Sequence, residues 1–342
     1  MSSSNSSTTT TQLQYAQEQL NRYMPMVLLI FGSFGNILNV IILTRKQLCT
    51  NPTSTYFLAS TLAGCTALLF GSLLRVLDGY YIYPTAASDL YCKVRVFLNF
   101  FSLSLASWFI VLACVDRYVS SSKNVKIRSF SSVKTAKRAI GLMTILICSL
   151  FSPMLYCIRG MWAAAVLNCG PPSPTCQQYN SFNVLINLSL LPPLLMLIFG
   201  LLTVRNVRSI ARRIVPSTTT TTIGVPSRMK NKDRQLTVML IVQVAFITII
   251  SLPFSVDRIY AVLTISLVKS NERQDIENFL YTLLNLVQFI NSATSFYLFT
   301  LTGTIFRQEL KRLIFYYLPR ISTTNETTTK RKTQLELSTI KH

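Results

Sequence analysis

Long stretches without Asp, Glu, Lys or Arg recur along the chain and alternate with short polar segments. Seven of them reach at least 20 residues, roughly what a helix rising about 1.5 Å per residue needs to cross about 30 Å of hydrocarbon. Because lipid offers the backbone no hydrogen-bond partners, each stretch is predicted to be helical. The predicted spans cover about residues 23–44, 55–77, 94–115, 139–158, 180–204, 235–258 and 278–302.

Polar ends flank this predicted all-α membrane bundle. Residues 1–22 and 319–342 are rich in Ser and Thr and lack apolar periodicity, so both are predicted to be disordered tails. Within 303–318, apolar side chains repeat at helical spacing opposite a basic face. That pattern predicts a short amphipathic eighth helix on the inner membrane surface, ending before Pro319.

Composition and charge orient the bundle. Half of the 342 residues are hydrophobic and only 13% are charged, against about a quarter in soluble domains. Of the 33 Lys and Arg residues, 25 lie at or beyond the inner ends of the odd-numbered spans, so the N-terminus is predicted to be outside the plasma membrane. Topology and anionic inner-leaflet lipid account for the net charge of +21, and no nucleic-acid partner is expected.

The outer side carries candidate modifications. Asn5 begins an Asn-Ser-Ser glycosylation sequon. Cys92, Cys169 and Cys176 fall on this oxidising side, which predicts one disulfide from Cys92 to the loop before the fifth span. Cys169 is favoured as the partner because Cys176 lies where the fifth helix is expected to begin, and Cys176 remains the alternative.

The third predicted span has distinctive ends. Cys92 opens it, and Asp116, Arg117 and Tyr118 close it, with 25 positions from Cys92 to Arg117. Further matching segments are Gly35-Asn36, Leu252-Pro253-Phe254, Asn291-Ser292, Ser295 to Phe299 and Phe306-Arg307. Together these residues resemble rhodopsin-like (class A) G-protein-coupled receptors over about residues 23–318.

The resemblance implies a receptor that binds an extracellular ligand and activates a heterotrimeric G protein through the inner ends of helices 3 and 6. Asp116, Arg117 and Tyr118 would form the G-protein switch, and Asp233, 20 positions before Pro253, would hold Arg117 at rest. A guanidinium that binds a carboxylate bidentately suits a reversible latch. The alternative is that Asp116 and Arg117 only cap an emerging helix.

The resemblance also implies moving parts. Pro253 is the expected hinge of helix 6, with Ser251 where the family usually has tryptophan. Val125 matches an apolar G-protein contact in the second inner loop; alternatively it is a buried loop residue. Phosphorylation in the tail would supply charge that arrestins read, unless the tail is only a solvated segment. The candidates are Ser322, Thr323, Thr324 and Thr327.

Several positions depart from the family pattern. The middle of the second span holds no acid, so the family's sodium site is not expected. Ile247 replaces a usual phenylalanine, and Ser295 to Phe299 replaces the NPxxY motif. These departures resemble divergent invertebrate orphan and FMRFamide-like peptide receptors, which favours a neuropeptide ligand.

A ligand cleft is expected between the outer helix ends. Asn99 lies five turns above the arginine of the switch, where amine receptors have an aspartate, so a monoamine ligand is not expected. Arg95 is one turn higher, and Arg258, with Tyr281 as a neighbour, is expected in the same cleft. Two guanidiniums could bind an acidic group or the amide end of a peptide. Alternatively, both arginines reach up to lipid headgroups.

Other functions fit the sequence less well. Residues 278–302 contain no lysine for a retinal Schiff base, and the spans lack the midplane charges typical of transporters. The only histidine is His342, and no acid or Cys/His cluster has metal-site spacing, so no enzyme, cofactor or metal is predicted. The remaining alternatives are a decoupled seven-helix scaffold and a small-molecule chemoreceptor. The predicted partners are a G protein, arrestin, an extracellular peptide or small ligand, and membrane lipid.

Overall fold

The computed structural model describes residues 2–46, 48–80, 82, 89–122, 124–163, 166–213 and 227–315; it does not describe the side chains of residues 2–11, 78, 161–168, 208–213 and 227–233. The predicted helical membrane bundle is confirmed, with seven long helices in the described ranges. They are α1 (Ser2–Leu43), α2 (Pro52–Ala67, continued by Leu68–Leu73 and Leu74–Gly79), α3 (Asp89–Ser120), α4 (Val133–Phe151), α5 (Pro174–Val184, continued by Leu185–Leu190 and Leu191–Arg213), α6 (Ser227–Leu263) and α7 (Asn271–Thr302).

Six of these helices, α1 to α6, are long and apolar enough to cross a membrane by length and composition. α7 carries many polar residues among its apolar ones, and Asn285, Gln288, Ser292 and Ser295 are all buried. It packs along α1 and α6, so its polar side chains face protein. The length of its charge-free stretch therefore identifies the seventh helix, whereas its average hydropathy does not.

Local capping sets several helix starts outside the predicted spans. The Asn51 side chain accepts a hydrogen bond from the Thr53 backbone N–H, and Pro52 occupies the first turn of α2. Ser173 caps α5 in the same way, and Ser270 caps α7. Counting charge-free residues misses these turns because the helices continue from lipid into water.

The N-terminal segment differs from the disordered tail predicted over residues 1–22, because α1 begins at Ser2. Composition cannot reveal the tertiary contacts that support a polar helical extension. Its outer turns are tied to α2 and α7 by hydrogen bonds from Gln17 to Thr282 (3.2 Å), from Arg75 to Asn21 (3.5 Å) and from Arg22 to the Gly79 carbonyl oxygen (2.9 Å).

A β-hairpin lies in the outer loop between α4 and α5, a feature for which the sequence analysis made no prediction. β1 (Arg159–Ala163) and β2 (Val166–Gly170) pair antiparallel, with Gly160 opposite Cys169. The Asp89 carboxylate at the start of α3 accepts a hydrogen bond from the Gly160 N–H at 2.9 Å. The hairpin is therefore fixed over the outer end of α3.

Two disulfides anchor the outer surface. Cys92 is paired with Cys169, with Cα atoms 5.3 Å apart, which joins α3 to β2. Cys176 is paired instead with Cys157, in the single turn Met154–Cys157 that follows α4. The sequence analysis misses this second bridge because Cys157 falls inside the predicted fourth span.

Prolines free backbone carbonyls that join the helices in the core. Leu185–Leu190 is π-helical, and Pro193 cannot donate the hydrogen bond that the Ser189 carbonyl would otherwise accept. The Ser255 hydroxyl of α6 donates to that carbonyl instead, at 2.8 Å. Two residues earlier, the Asn187 carbonyl accepts from Trp108 Nε1 of α3 at 2.9 Å. α5 is therefore bonded to α3 and α6 through its irregular segment.

A final helix, α8, spans residues 304–315, while residues 316–318 of the predicted range lie outside the described chain. Phe306 is fully buried, and its ring centroid is 5.8 Å from that of Phe299. A Cβ on Gly303 would lie 2.6 Å from Met239 Sδ, so the junction with α7 requires glycine for close approach.

Candidate functional site

At the cytoplasmic end of α3, Asp116 is buried, with 7% of its surface exposed. One carboxylate oxygen accepts a hydrogen bond from the Thr53 hydroxyl at 2.8 Å, and the other accepts from the Ser131 hydroxyl at 2.7 Å. The side chain therefore connects α3 to α2 and to the second inner loop. Hydrogen bonds to both oxygens stabilise a carboxylate away from water.

Arg117 is also buried, with 4% of its surface exposed. Its Nη2 donates to the Asn51 side-chain oxygen at 3.0 Å and lies 3.5 Å from an Asp116 carboxylate oxygen. The Asn51 oxygen that accepts from Arg117 is the same atom that caps α2. A charged pair that only caps a helix in water would be exposed, whereas Asp116 and Arg117 are both buried.

The structure brings other predicted switch residues to the same end. The ring centroids of Tyr118 and Phe199 are 5.8 Å apart, which joins α3 to α5. Val125 begins the one-turn helix Val125–Arg128 and is 66% exposed, so it is not a buried loop residue. Asp233 lies in α6, but its side chain is outside the described part of the chain, so its pairing with Arg117 stays a prediction.

The sequence analysis missed Asn51, Thr53 and Ser131, which hold the switch. The Asn-Pro pair at 51–52 is a recognisable helix start, and that signal could have placed Asn51 at the inner surface. Nothing in the sequence shows that its oxygen also meets Arg117, because that contact depends on how α2 and α3 pack.

The predicted hinge lies in a buried, neutral polar centre. Pro253 is inside α6, and Ser251 is buried in front of it. The Ser251 hydroxyl accepts from Asn291 Nδ2 at 3.2 Å and lies 3.5 Å from Gln288 Oε1. A small cavity of about 30 Å³ lies beside these amides, and none of its described lining residues is acidic. The Ser251 hydroxyl therefore stands where the family usually has tryptophan, and two amide side chains lie next to it.

On the outer side, Asn99, Arg95 and Tyr281 line one cavity of about 380 Å³, as expected, but Arg258 is not among its described lining residues. The second guanidinium in that cavity belongs to Arg75 of α2. The sequence could have suggested Arg75, since it lies at the outer end of the second span.

Arg258 lines a second cavity, of about 460 Å³, between the outer ends of α5, α6 and α7. Its Nε donates to Asp257 at 3.0 Å, and its guanidinium carbon is 4.2 Å from the centroid of the Tyr281 ring. The expectation of one cleft with Arg95 and Arg258 is therefore corrected. Two cavities meet at Tyr281, which lines both.

A charged cluster at the start of α7 closes the second cavity on the aqueous side. Partial burial alone would raise the pKa of the Glu277 carboxyl, but hydrogen bonds from Lys269, Tyr260 and Arg273 outweigh it, so the pKa is lowered. Glu277 is therefore ionised at neutral pH and ties the loop after α6 to α7.

The modification candidates fall outside the described side chains. Asn5 lies in α1, but its side chain is among those not described. The tail candidates are outside the described residues altogether: Ser322, Thr323, Thr324 and Thr327.

A helical bundle with a disulfide at the outer end of α3 and a buried Asp-Arg pair at its inner end defines a seven-helix receptor. The family model of the 7 transmembrane receptor (rhodopsin family) matches residues 35–295. The chain therefore belongs to the rhodopsin family of seven-transmembrane receptors. It is a multi-pass plasma-membrane receptor and not an enzyme, and its family's partners are an extracellular ligand and a G protein. No individual curated protein matches the chain.

Proposed function

We propose that this receptor responds to a neuropeptide, in the manner of the divergent invertebrate FMRFamide-like receptors, and activates a heterotrimeric G protein through the inner ends of α3 and α6. Two outer cavities of a few hundred cubic ångströms, meeting at Tyr281, support an extended ligand. Asn99 in place of an acidic residue argues against a monoamine.

The buried arginine of the switch carries this proposal. An arginine is costly to bury unless its hydrogen bonds are satisfied, and Arg117 is held by groups from α2 and α3. These contacts could be exchanged for others in a second state of the receptor, and we assign that second partner of Arg117 to the G protein.

Activation then follows as a shift between two populations. The agonist binds better to the form in which α6 has swung about Pro253 and the inner cleft is open. Opening releases Arg117 from its resting partners, and the exposed Val125 supplies an apolar contact for the Gα subunit. Phosphorylation of the tail and anionic inner-leaflet lipid, which the basic inner surface would attract, are proposed as further partners of the cycle.

Reporter signalling in cells that carry the chain with a panel of Gα subunits tests the coupling, with a neuropeptide library as the stimulus. We expect signalling above vector for at least one Gα subunit, lost in Arg117→Ala and retained in Arg128→Ala, an exposed arginine of the second inner loop. If every Gα subunit gives the vector level at equal surface expression, the chain is a decoupled scaffold.

A separate variant tests the α6 half of the latch. Asp233→Asn should raise agonist-free signalling, because it removes the carboxylate proposed to hold Arg117. Unchanged basal signalling, with a clear effect of Arg117 substitutions, would mean that Asp233 has no part in the latch.

A further inference from the structure

Two arginines line the outer cavity between α2, α3, α5, α7 and the hairpin: Arg75 and Arg95. The guanidinium carbon of Arg75 is 5.8 Å from the Phe289 ring centroid, and that of Arg95 is 5.9 Å from the Tyr91 ring centroid. These contacts position two guanidinium groups at a partly enclosed surface, where charge acts more strongly than in bulk water. A planar guanidinium is well suited to bind a carboxylate.

Three asparagine side chains line the same cavity. The side-chain oxygens of Asn99, Asn180 and Asn285 are buried and have no hydrogen-bond partner among the described residues. Asn285 is 1% exposed, and its Nδ2 donates to the Tyr281 hydroxyl at 3.1 Å, which orients the amide. Buried acceptors without partners are rare in proteins and call for an explanation. A ligand that donates N–H groups would satisfy them.

The backbone of α2 makes room for one of these acceptors. A Cβ on Gly71 would lie 2.5 Å from the Asn99 side-chain oxygen and 2.2 Å from the Phe289 ring. Gly71 lies in the π-helical segment Leu68–Leu73, one turn before Arg75. Because any larger residue would displace Asn99, the floor of the cavity is built to keep this amide in place.

We propose that this cavity binds a carboxylate that has an amide N–H beside it, with Arg75 and Arg95 facing the carboxylate and the asparagine oxygens accepting from the N–H groups. The proposal deepens the proposed receptor function by naming the chemistry of its ligand. Both a peptide's terminal carboxylate and an Asp or Glu side chain within a peptide offer this pair of groups. A terminal carboxamide lacks the anion, so an amidated neuropeptide would occupy this cavity with an Asp or Glu side chain.

Binding of three small probes to the purified full-length receptor tests the chemistry without any signalling step. N-acetyl-L-phenylalanine carries a terminal carboxylate, the amide of N-acetyl-L-aspartic acid carries a side-chain carboxylate, and N-acetyl-L-phenylalanine amide carries none. We expect at least one carboxylate probe to raise the thermal unfolding midpoint by about 2 °C or more at ten times its dissociation constant. The carboxylate probe that binds identifies the source of the anion, and the uncharged amide should give no shift.

Substitutions then locate the site. Arg75→Gln and Arg95→Gln should each abolish the shift, whereas Arg95→Lys should retain part of it, which separates loss of charge from loss of fold. Arg128→Gln, an exposed arginine on the inner side of the receptor, should retain the full shift. The proposal is overturned if no carboxylate probe binds, if the uncharged amide binds equally well, or if the shift survives both Gln substitutions. Absence of G-protein signalling would not alter this result, so the two proposals fail separately.

Discussion

Among single residues, Asn51 accepts two hydrogen bonds with one side-chain oxygen. Its side-chain oxygen caps α2 through the Thr53 N–H at 2.9 Å and accepts from Arg117 at 3.0 Å. In the proposed activation, Arg117 leaves this position to meet a G protein. On that proposal, Asn51 stabilises the resting state as well as the start of α2.

Shortening this side chain should raise agonist-free signalling. Asn51→Ser keeps an oxygen that can cap α2 but removes the reach to Arg117. A hydrogen bond to a charged group contributes about 1.5–3 kcal/mol. The ratio of active to resting receptor should therefore rise by about tenfold or more, until the active state is saturated. Reporter signalling at equal surface expression measures the change.

Asn124→Ser is the matched control, because Asn124 caps the exposed one-turn helix Val125–Arg128 and its side chain accepts from the Lys126 N–H. Basal signalling of this variant should stay at the wild-type level. Equal basal activity in Asn51→Ser and wild type would remove Asn51 from the latch.

Residue types and spacing predicted Asp116 and Arg117 but not their partners. The Asp-Arg-Tyr triplet is recognisable at the inner end of a span, whereas Asn51, Thr53 and Ser131 are ordinary polar residues in loops and helix ends. What distinguishes them is contact across helices, and contact depends on helix rotation and depth. The separation of Arg95 from Arg258 was mispredicted for the same reason.

Among the helices, α5 and α6 meet at backbone atoms that prolines have freed. The Ser255 hydroxyl bonds both to the Ser189 carbonyl of α5, at 2.8 Å, and to the Ser251 carbonyl in its own helix, at 2.9 Å. The contact lies two residues beyond Pro253, the predicted hinge. It fixes the outer half of α6 to α5, on the outer side of the predicted hinge.

Removing this hydroxyl should destabilise the receptor. Ser255→Ala leaves the Ser189 carbonyl buried without its α6 partner, which costs about 1–3 kcal/mol, so the thermal unfolding midpoint of the purified receptor should fall. Ser149→Ala is the control, since Ser149 bonds only within exposed turns of α4. Equal midpoints for the two variants would show that the α5–α6 bond contributes nothing.

The disulfide between Cys157 and Cys176 fixes the outer end of α4 to the start of α5. It closes a segment with a sequence separation of 19, for which chain-entropy arguments give about 3 kcal/mol. Cys157→Ser should therefore lower the unfolding midpoint. Cys148→Ser is the control, because Cys148 is a free, exposed cysteine of α4.

Mass spectrometry of the non-reduced protein checks this bridge directly. Peptides containing Cys157 and Cys176 should be linked to each other and separate from the linked pair Cys92 and Cys169. Any exchange of partners between the two pairs would contradict the arrangement of the outer surface.

The helices were predictable because lipid imposes a simple rule of length and charge, but their ends and the hairpin were not. Caps at Asn51, Ser173 and Ser270 place helix starts in water, where charge no longer marks a boundary. The hairpin depends on the pairing of Gly160 with Cys169 and on the disulfide to Cys92. Both are contacts in the folded chain that no local sequence pattern indicates.

For the whole molecule, the sequence predicted the topology and the family, since the distribution of basic residues and the spacing from Cys92 to Arg117 are properties of the chain alone. It did not predict the extension of α1 against α2 and α7, or that the outer space divides into two cavities. The molecule is a receptor with an outer cavity lined by two arginines, a polar centre of amides and hydroxyls, and a buried Asp-Arg pair at its inner end.

The buried Asp-Arg pair is proposed to hold the resting state, and its arginine then to serve the G protein. This proposal is tested by agonist-free nucleotide exchange on purified Gα subunits, catalysed by the receptor in lipid nanodiscs. Asp116→Asn should raise the exchange rate several-fold, because it weakens the hold on Arg117, whereas Arg117→Ala should reduce the rate to that of Gα alone. Changes of the same sign in both variants, or no change in either, would contradict the account.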